Sequence, residues 1–304
     1  IMKEKKIIVT RFAPSPTGEL HVGSAFAAMV AFDQMKNSPD GEFLIRFENI
    51  DLKRCNQKYE SKILEDLSWL GITSNKPIRR QSEHMSDYEE ALNKLKSQGL
   101  IYPCFCSRKE IIREIKSTNS APHKFNKFVY PGTCRNLSEL QAKKRQLNGE
   151  NFALRLKMDM ALSKVRKIQW TDPSNKIHKI SPSIFGDIVI ARKETPTSYH
   201  LAVTVDDHIQ GVTVVTRAED LYKTTSIHRL LQEILGFDVP QYLHHPLILD
   251  TNGERFQKRN FAVNLSSLRK IGVLPRQLHD ALFSSDKEQI YHWIDLASTN
   301  LNKQ

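Results

Sequence analysis

The chain has 304 residues, enough for two domains or for one with a large insertion, and enough to bury a core without disulfides or metal as essential staples. With 39% hydrophobic and 26% charged residues it has the composition of a globular protein, and only 12 Gly and 13 Pro exclude a low-complexity or collagen-like chain. A formal charge of +11 favours a polyanionic partner, most simply nucleic acid.

The first apolar run, Ile7-Ile8-Val9, reads as a short buried strand. It falls well below the ~7 apolar residues of a signal peptide, and no window reaches the ~18 of a membrane span, so the expected location is cytoplasmic. A loop with two prolines and a glycine follows, from Arg11 to Gly18. The spacing then predicts a helix from near Gly23 through Ala25, Ala27, Met29, Val30 and Phe32. Pro39-Asp40-Gly41 is a turn, and Phe43 to Phe47 is the next strand. One further helix carries Ile63, Leu64, Leu67 and Leu70 on one face. Another carries Tyr88, Ala91, Leu92 and Leu95 and stops at Gly99. Strands separated by helices predict an α/β fold with a doubly wound parallel sheet.

From Cys104 to about Ile180 the chain is mixed, basic and poor in long helices, and Phe152 to Lys157 alternates like a half-exposed strand. This stretch reads as an insertion. Strand signals return at Ile188-Val189-Ile190, at Leu201-Ala202-Val203 and at Val212 to Val215. A helix with Leu221, Leu230, Leu231, Ile234 and Leu235 ends at Gly236. The last forty residues are helical, with Pro275 at a first turn and Ile290, Trp293, Ile294 and Ala297 sharing a face. The expected division is 1–100 and 188–262 as two halves of a Rossmann-type catalytic domain, 101–187 as an inserted subdomain, and 263–304 as a helical C-terminal segment.

His21-Val22-Gly23-Ser24 lies between the proline loop and a helix start. Gly23 permits close backbone approach, the helix N-terminus favours phosphate, and a His there can donate to a triphosphate. Four residues alone read better as a turn with a surface His. Their context is more specific. Arg11 to Ser24, Leu44 to Asp51, Tyr199 to Asp207, Gln210 to Thr213 and Arg217 to Leu221 together resemble the glutamyl-tRNA synthetases, class I enzymes, from about residue 7 to about residue 265. About 40 residues follow the matched part, which resembles the shortened branch, the glutamyl-Q tRNA(Asp) synthetases, without the anticodon-binding domain of a full synthetase.

That resemblance implies an ATP-dependent ligase that activates L-glutamate and transfers it to the queuosine base in the anticodon of tRNA(Asp). It implies Arg11 and Arg217 for the two glutamate carboxylates, where a planar guanidinium suits bidentate binding. Glu48 would take the ammonium group, Tyr199 would supply a phenolic hydrogen bond, and Ala13 and Ser15 would line the pocket. His21, Gly23 and Ser24 fall in the ATP-binding signature. The family's second signature, Lys-Met-Ser-Lys-Ser, is matched by Arg255-Phe256-Gln257-Lys258-Arg259. Lys258 stands at the second lysine and would neutralise pyrophosphate, while Gln257 and Arg255 depart from the pattern. Magnesium enters with ATP, held by phosphates and water, so no protein ligand is expected.

Cys104, Cys106 and Cys134 offer three soft ligands for tetrahedral zinc, and a fourth is needed. On chemistry alone His123 is the first choice. The resemblance points to Tyr130, and to a zinc-bearing α+β insertion. Cys55 receives no role. The insertion is basic through Arg108, Arg113, Lys116, Lys124, Lys127, Arg135, Lys143, Lys144 and Arg145, and is expected to meet the tRNA(Asp) anticodon stem-loop. The chain is expected to act as a monomer. The alternatives are a truncated glutamyl-tRNA synthetase charging tRNA(Glu), a catalytically weak tRNA-binding paralogue, and an unrelated nucleotidyltransferase.

Overall fold

The computed structural model describes residues 7–118, 129–250, 253 and 263–301. The strands are β1 (Val9–Phe12), β2 (Glu42–Phe47), β3 (Arg79–Arg80), β4 (Ile101–Cys104), β5 (Ala153–Leu156), β6 (Trp170–Thr171), β7 (Ile177–His178), β8 (Val189–Ala191), β9 (Val214–Ala218) and β10 (Gln241–His245). The helices are α1 (Val22–Met35), α2 (Gln57–Trp69), α3 (Met85–Ser97), α4 (Arg108–Thr118), α5 (Glu139–Leu147), α6 (Met158–Ser163), α7 (Tyr199–Ile209), α8 (Thr225–Leu235), α9 (Leu265–Lys270), α10 (Pro275–Phe283) and α11 (Glu288–Leu301). The chain divides into two compact units, one of residues 1–83, 212–222 and 240–304, the other of residues 84–211 and 223–239.

In the first unit β1, β2 and β3 pair in parallel, as do β9 and β10. β9 lies beside β1. The Val9 N–H donates to Thr213 Oγ1 at 2.8 Å, the Thr213 N–H to Val9 O at 3.0 Å, and Arg11 Nη1 to Thr216 O at 3.0 Å. The contacts advance together, so β1 and β9 run the same way and the order is β3-β2-β1-β9-β10. Chain order reverses at β1/β9, and open parallel sheets bind ligands at the carboxyl ends of such a pair. Small side chains on α1 (Ala25, Ala28 and Ala31) are buried and let it sit close to β1, where Thr10 Oγ1 donates to Ala31 O at 2.8 Å. Leu265, Leu268, Leu278 and Ile290 from α9 to α11 complete the same core. Each such side chain contributes about 1.5–3 kcal/mol through removal from water.

One buried carboxyl stands inside this unit. Asp66 on α2 accepts from Arg269 Nη2 at 3.0 Å and from the Leu20 N–H, one residue before His21. Burial outweighs the Arg269 attraction, and Glu19 and Glu65 add repulsion, so its pKa rises to about 6. A carboxyl raised in the fold contributes stability fully below its unfolded value of 3.8, and that contribution is lost as pH rises through 6. Unfolding free energy is therefore expected to fall by about 1–2 kcal/mol from pH 4 to 7 through this group, allowing for solvent screening. Urea titrations of Asp66→Asn across that range should lack this slope. An unchanged slope would assign the pH dependence elsewhere.

The second unit has a helical core in which Tyr88, Leu92 and Leu95 of α3 meet Leu201, Ala202 and Val205 of α7 and Leu230 and Leu231 of α8. Tyr88 Oη donates to both Asp206 oxygens, at 3.0 and 3.1 Å. Beside it β4-β5-β8 form an antiparallel sheet, and β6-β7 a short hairpin.

Three sequence expectations need correction. Leu221 is not part of α8, which starts at Thr225, but ends a short 3-10 turn from Glu219. Leu201-Ala202-Val203 is not a strand: it lies within α7, capped by Ser198, and is apolar because the helix is buried on several faces. The Ile188–Ile190 strand does not extend the parallel sheet, since β8 pairs antiparallel with β5. Among the described residues no helix is long and apolar enough to cross a membrane.

Candidate functional site

The first unit gathers eight of the expected residues around the carboxyl ends of β1 and β9. Arg11 and Arg217 are both 6% exposed on those adjacent strands. The Arg217 guanidinium lies 5.6 Å from the Tyr242 ring centroid. Arg11 also joins the strands through Thr216 O, so it has a structural task as well. The segment after β1 carries Ala13, half-buried, and Ser15, exposed. Its Pro14 carbonyl accepts from the Glu48 N–H at 3.1 Å, which brings the proline loop to the end of β2.

His21 is the N-cap of α1. Its Nδ1 accepts from the Ser24 N–H at 3.3 Å, and its Nε2 lies 3.2 Å from Ser24 Oγ. Accepting at Nδ1 leaves the ring proton on Nε2. In that tautomer Nε2–H donates to Ser24 Oγ, which leaves the Ser24 hydroxyl proton to donate outward beside the first-turn N–H groups, and such an arrangement at a helix N-terminus suits an anion. The glycine between them is there for space. A Cβ at Gly23 would stand 3.1 Å from His21 Cε1 and 3.2 Å from Nδ1. Gly23→Ala must tilt the imidazole by a few tenths of an ångström, so glutamate-dependent ATP–pyrophosphate exchange is expected to slow by about tenfold with little change in Tm. Equal rates in variant and parent would count against a role for the ring.

Sequence reasoning missed two residues here. Arg46 is fully buried on β2, and its Nη2 reaches Glu48 Oε1 at 3.3 Å, which orients the expected ammonium-binding carboxylate. An arginine inside the apolar run Phe43 to Phe47 was the available signal. His245 ends β10, with its ring against Phe26 at 5.3 Å and Nδ1 3.0 Å from Pro246 O. Burial holds its pKa below the ordinary histidine value. Cys55, given no role, places its thiol 3.9 Å from Glu48 O.

Tyr199 belongs to the second unit, as the first residue of α7. Its ring meets those of His200 and His228 at 5.5 and 5.6 Å, and the two histidines approach to 3.2 Å. It lines a cavity of about 290 Å³ with Tyr130, Arg155 and Arg192. Lys258 and its neighbours from Arg255 to Arg259 lie outside the described residues, as do His123, Lys124 and Lys127 and the side chain of Lys116. The described residues resume at Val263, and there Asn264 bridges His21 while the Leu265 N–H donates to Leu20 O at 2.9 Å.

The insertion's cysteines converge. The thiol sulfurs of Cys104, Cys106 and Cys134 lie within 4.8 Å of one another. Tyr130 Oη stands 3.4 Å from Cys104 Sγ and 3.5 Å from Cys106 Sγ, and accepts from the Cys134 N–H at 2.8 Å. Burial pushes the Cys106 thiol up to about 11 and raises the Tyr130 phenol well above its usual value. Burial acts upward on Cys134 too. There the Phe105 N–H, the Tyr130 hydroxyl and Cys106 outweigh it and hold the thiol below its ordinary value. Three sulfurs are soft donors of the kind zinc takes, and the Tyr130 oxygen is a fourth donor atom beside them, of a less common type. The Arg155 guanidinium lies 3.8 Å from the Tyr130 ring centroid and fixes its orientation.

Not all the basic residues of the insertion are available to a polyanion. Arg135 is held by Asp187 at 3.3 Å and by Asp159, and Arg145 by Glu150 at 2.5 Å. Arg108, Arg113, Lys143 and Lys144 are exposed.

Comparison with known proteins gives consistent relatives. The family model for tRNA synthetases class I (E and Q), catalytic domain, matches residues 7–285. Over 280 residues the chain is 44% identical to a protein of Rhodobacter capsulatus named Glutamyl-Q tRNA(Asp) synthetase, covering 89% of this chain and 98% of that one. It is 36% identical over 275 residues to a glutamate–tRNA ligase of Aquifex aeolicus, covering 90% of this chain and 56% of that one. A crystal structure of a glutamate tRNA ligase from Elizabethkingia meningosepticum, in complex with its amino acid, superposes with a TM-score of 0.71 at 27% identity, over 88% of this chain and 54% of that chain. The chain thus spans about half the length of these two ligases.

Proposed function

The chain belongs to the class I tRNA synthetases for glutamate and glutamine and is a ligase, and from that premise we propose that it activates glutamate with ATP and transfers it to the queuosine base in the anticodon of tRNA(Asp). One observation carries the choice of acceptor. Identity is 44% across 98% of the Rhodobacter capsulatus glutamyl-Q enzyme, against 36% across 56% of the Aquifex aeolicus glutamate–tRNA ligase.

In the first step a glutamate carboxylate oxygen attacks the α-phosphate of ATP, and pyrophosphate leaves. The product is a mixed anhydride, glutamyl-adenylate. In the second, a hydroxyl of the queuosine base attacks the activated carbonyl and AMP departs. Neither step requires a nucleophile from the protein, so catalysis rests on positioning and on stabilising charge. Arg11 and Arg217 bind the carboxylates, Glu48, set by Arg46, binds the ammonium group, and Tyr199 donates its phenol. Ser24, set by His21, turns its hydroxyl to the phosphates at the start of α1, with Gly23 leaving room, and Lys258 neutralises the leaving pyrophosphate. Residues 1–100 and 188–262 supply this chemistry as the two catalytic halves.

Cys104, Cys106, Cys134 and Tyr130 would hold zinc in the insertion, where it would serve structure by cross-linking the chain around Cys104–Cys106 and Tyr130–Cys134. The exposed Arg108, Arg113, Lys143 and Lys144 of the same insertion meet the anticodon stem-loop.

The test is transfer of labelled glutamate, with ATP, to tRNA(Asp) with and without queuosine, alongside tRNA(Glu). Label on queuosine-containing tRNA(Asp) alone is the expected result. Label on tRNA(Glu) would replace this reading with that of a charging synthetase.

A further inference from the structure

Apart from Arg108, Arg113, Lys143 and Lys144, the insertion carries a second group of exposed cations. Lys164, Arg166 and Lys167 follow α6, all exposed, at the rim of a cavity of about 530 Å³. None of the three forms an ion pair among the described residues. The nearby acids are committed elsewhere. Glu233 is bound by Arg229, which is itself buried and holds Gln169 O at 2.7 Å and Gln232 Oε1 at 2.9 Å. Asp172 serves its own turn through Ser174 and His178. Arg229 and Glu233 therefore neutralise each other in the wall, and the net charge of the rim is that of the three free cations.

The cavity also has an apolar side. Val239 is 41% exposed and Val165 half-buried, and both line it. A cationic rim over an apolar wall, in a space large enough for a nucleotide, matches a nucleotide of a single-stranded or looped strand: phosphates on the rim, the sugar or base face on the valines. A membrane surface fits less well, because the apolar side is recessed in a cavity and the cations stand around it.

We propose that this groove is an RNA-backbone site, in which Lys164, Arg166 and Lys167 bind two successive phosphates of the tRNA. The inference rests on the tRNA-acceptor reading given above and adds a second contact surface to it. RNA contacts are read by their salt dependence, at about 0.7–0.9 in the log–log slope per phosphate.

The experiment is fluorescence anisotropy with the full chain, using two labelled RNAs, the tRNA(Asp) anticodon stem-loop and an acceptor-stem minihelix, over a range of salt. The variants are Lys164→Glu/Lys167→Glu and the milder Lys164→Gln/Lys167→Gln. For whichever RNA seats in the groove, the charge reversal is expected to weaken Kd by about tenfold near 0.1 M salt and to lower the slope by about 1.5, with the neutral pair in between. Glutamate-dependent ATP–pyrophosphate exchange should be unchanged in both, which shows that they fold. An unaltered Kd and slope for both RNAs would overturn the groove. An effect confined to the minihelix would keep the groove and assign it to the acceptor stem. Should the parent chain lack exchange activity, the proposed chemistry fails, and the anisotropy series still decides the groove.

Discussion

Replacing Arg217 with Ala is expected to lower kcat/KM for glutamate in ATP–pyrophosphate exchange by roughly 10²–10³-fold. The reasoning starts from burial. Arg217 is 6% exposed on β9, at the strand pair where chain order reverses, so a carboxylate bound there gives up much of its water. Removing one partner of a buried, hydrogen-bonded charge pair costs about 2–5 kcal/mol, much of it from stranding the other charge. Lysine restores the charge but not the planar fork, so Arg217→Lys should recover only part of the loss. Arg217 is the cleaner probe of the two arginines, because Arg11 also bonds Thr216 O and its loss would disturb the sheet. The loss should fall mainly on KM if the contact is made equally in ground and transition states. A KM for glutamate that stays at the parent value, in a variant with the parent's Tm, would remove Arg217 from the amino-acid site.

Much of this site is legible in the sequence because its parts are local. The helix start at His21, the strand with Glu48 behind it and the glycine that ends α8 each follow from residues within a few positions. What the sequence hides is long-range or ambiguous. Leu201-Ala202-Val203 has the composition of a buried strand, and only its packing against Tyr88 and Leu230 makes it a helix. Asp66 reads as one more charged position on α2, and nothing nearby in sequence shows that it would be buried against Arg269, two hundred residues on. The reach of the basic insertion is likewise set by partners: Arg135 and Arg145 look free in sequence and are held by Asp187 and Glu150. Local pattern specifies which residues are present, while tertiary pairing decides which charges remain available.

The zinc cluster yields the second large effect. The apolar group around it is small: Tyr102, Cys104, Phe105, Tyr130 and Cys134 are its buried members, and three of those five are proposed ligands. A cluster whose buried surface is mostly its own ligands has little hydrophobic support once the metal is gone, and metal binding is then folding free energy. The chain as purified is expected to hold one zinc ion. Prolonged chelation, or Cys134→Ser, should destabilise residues 101–187 by at least about 3 kcal/mol, a Tm decrease on the order of 15 °C for a region of that size. Activation and transfer should then separate. Exchange depends on Arg11, His21, Glu48 and Arg217 in the first unit and is expected to fall only a few-fold, whereas transfer to tRNA needs the insertion and should be lost. Tyr130→Phe keeps the ring under Arg155 but removes the fourth donor, so zinc affinity should drop by about tenfold or more while the apolar packing stays. His123→Ala decides between the two fourth-ligand candidates, since it should leave affinity unchanged if Tyr130 is the ligand. Absence of zinc from the purified chain, or transfer that survives chelation, would reduce the three thiols to a packed apolar cluster.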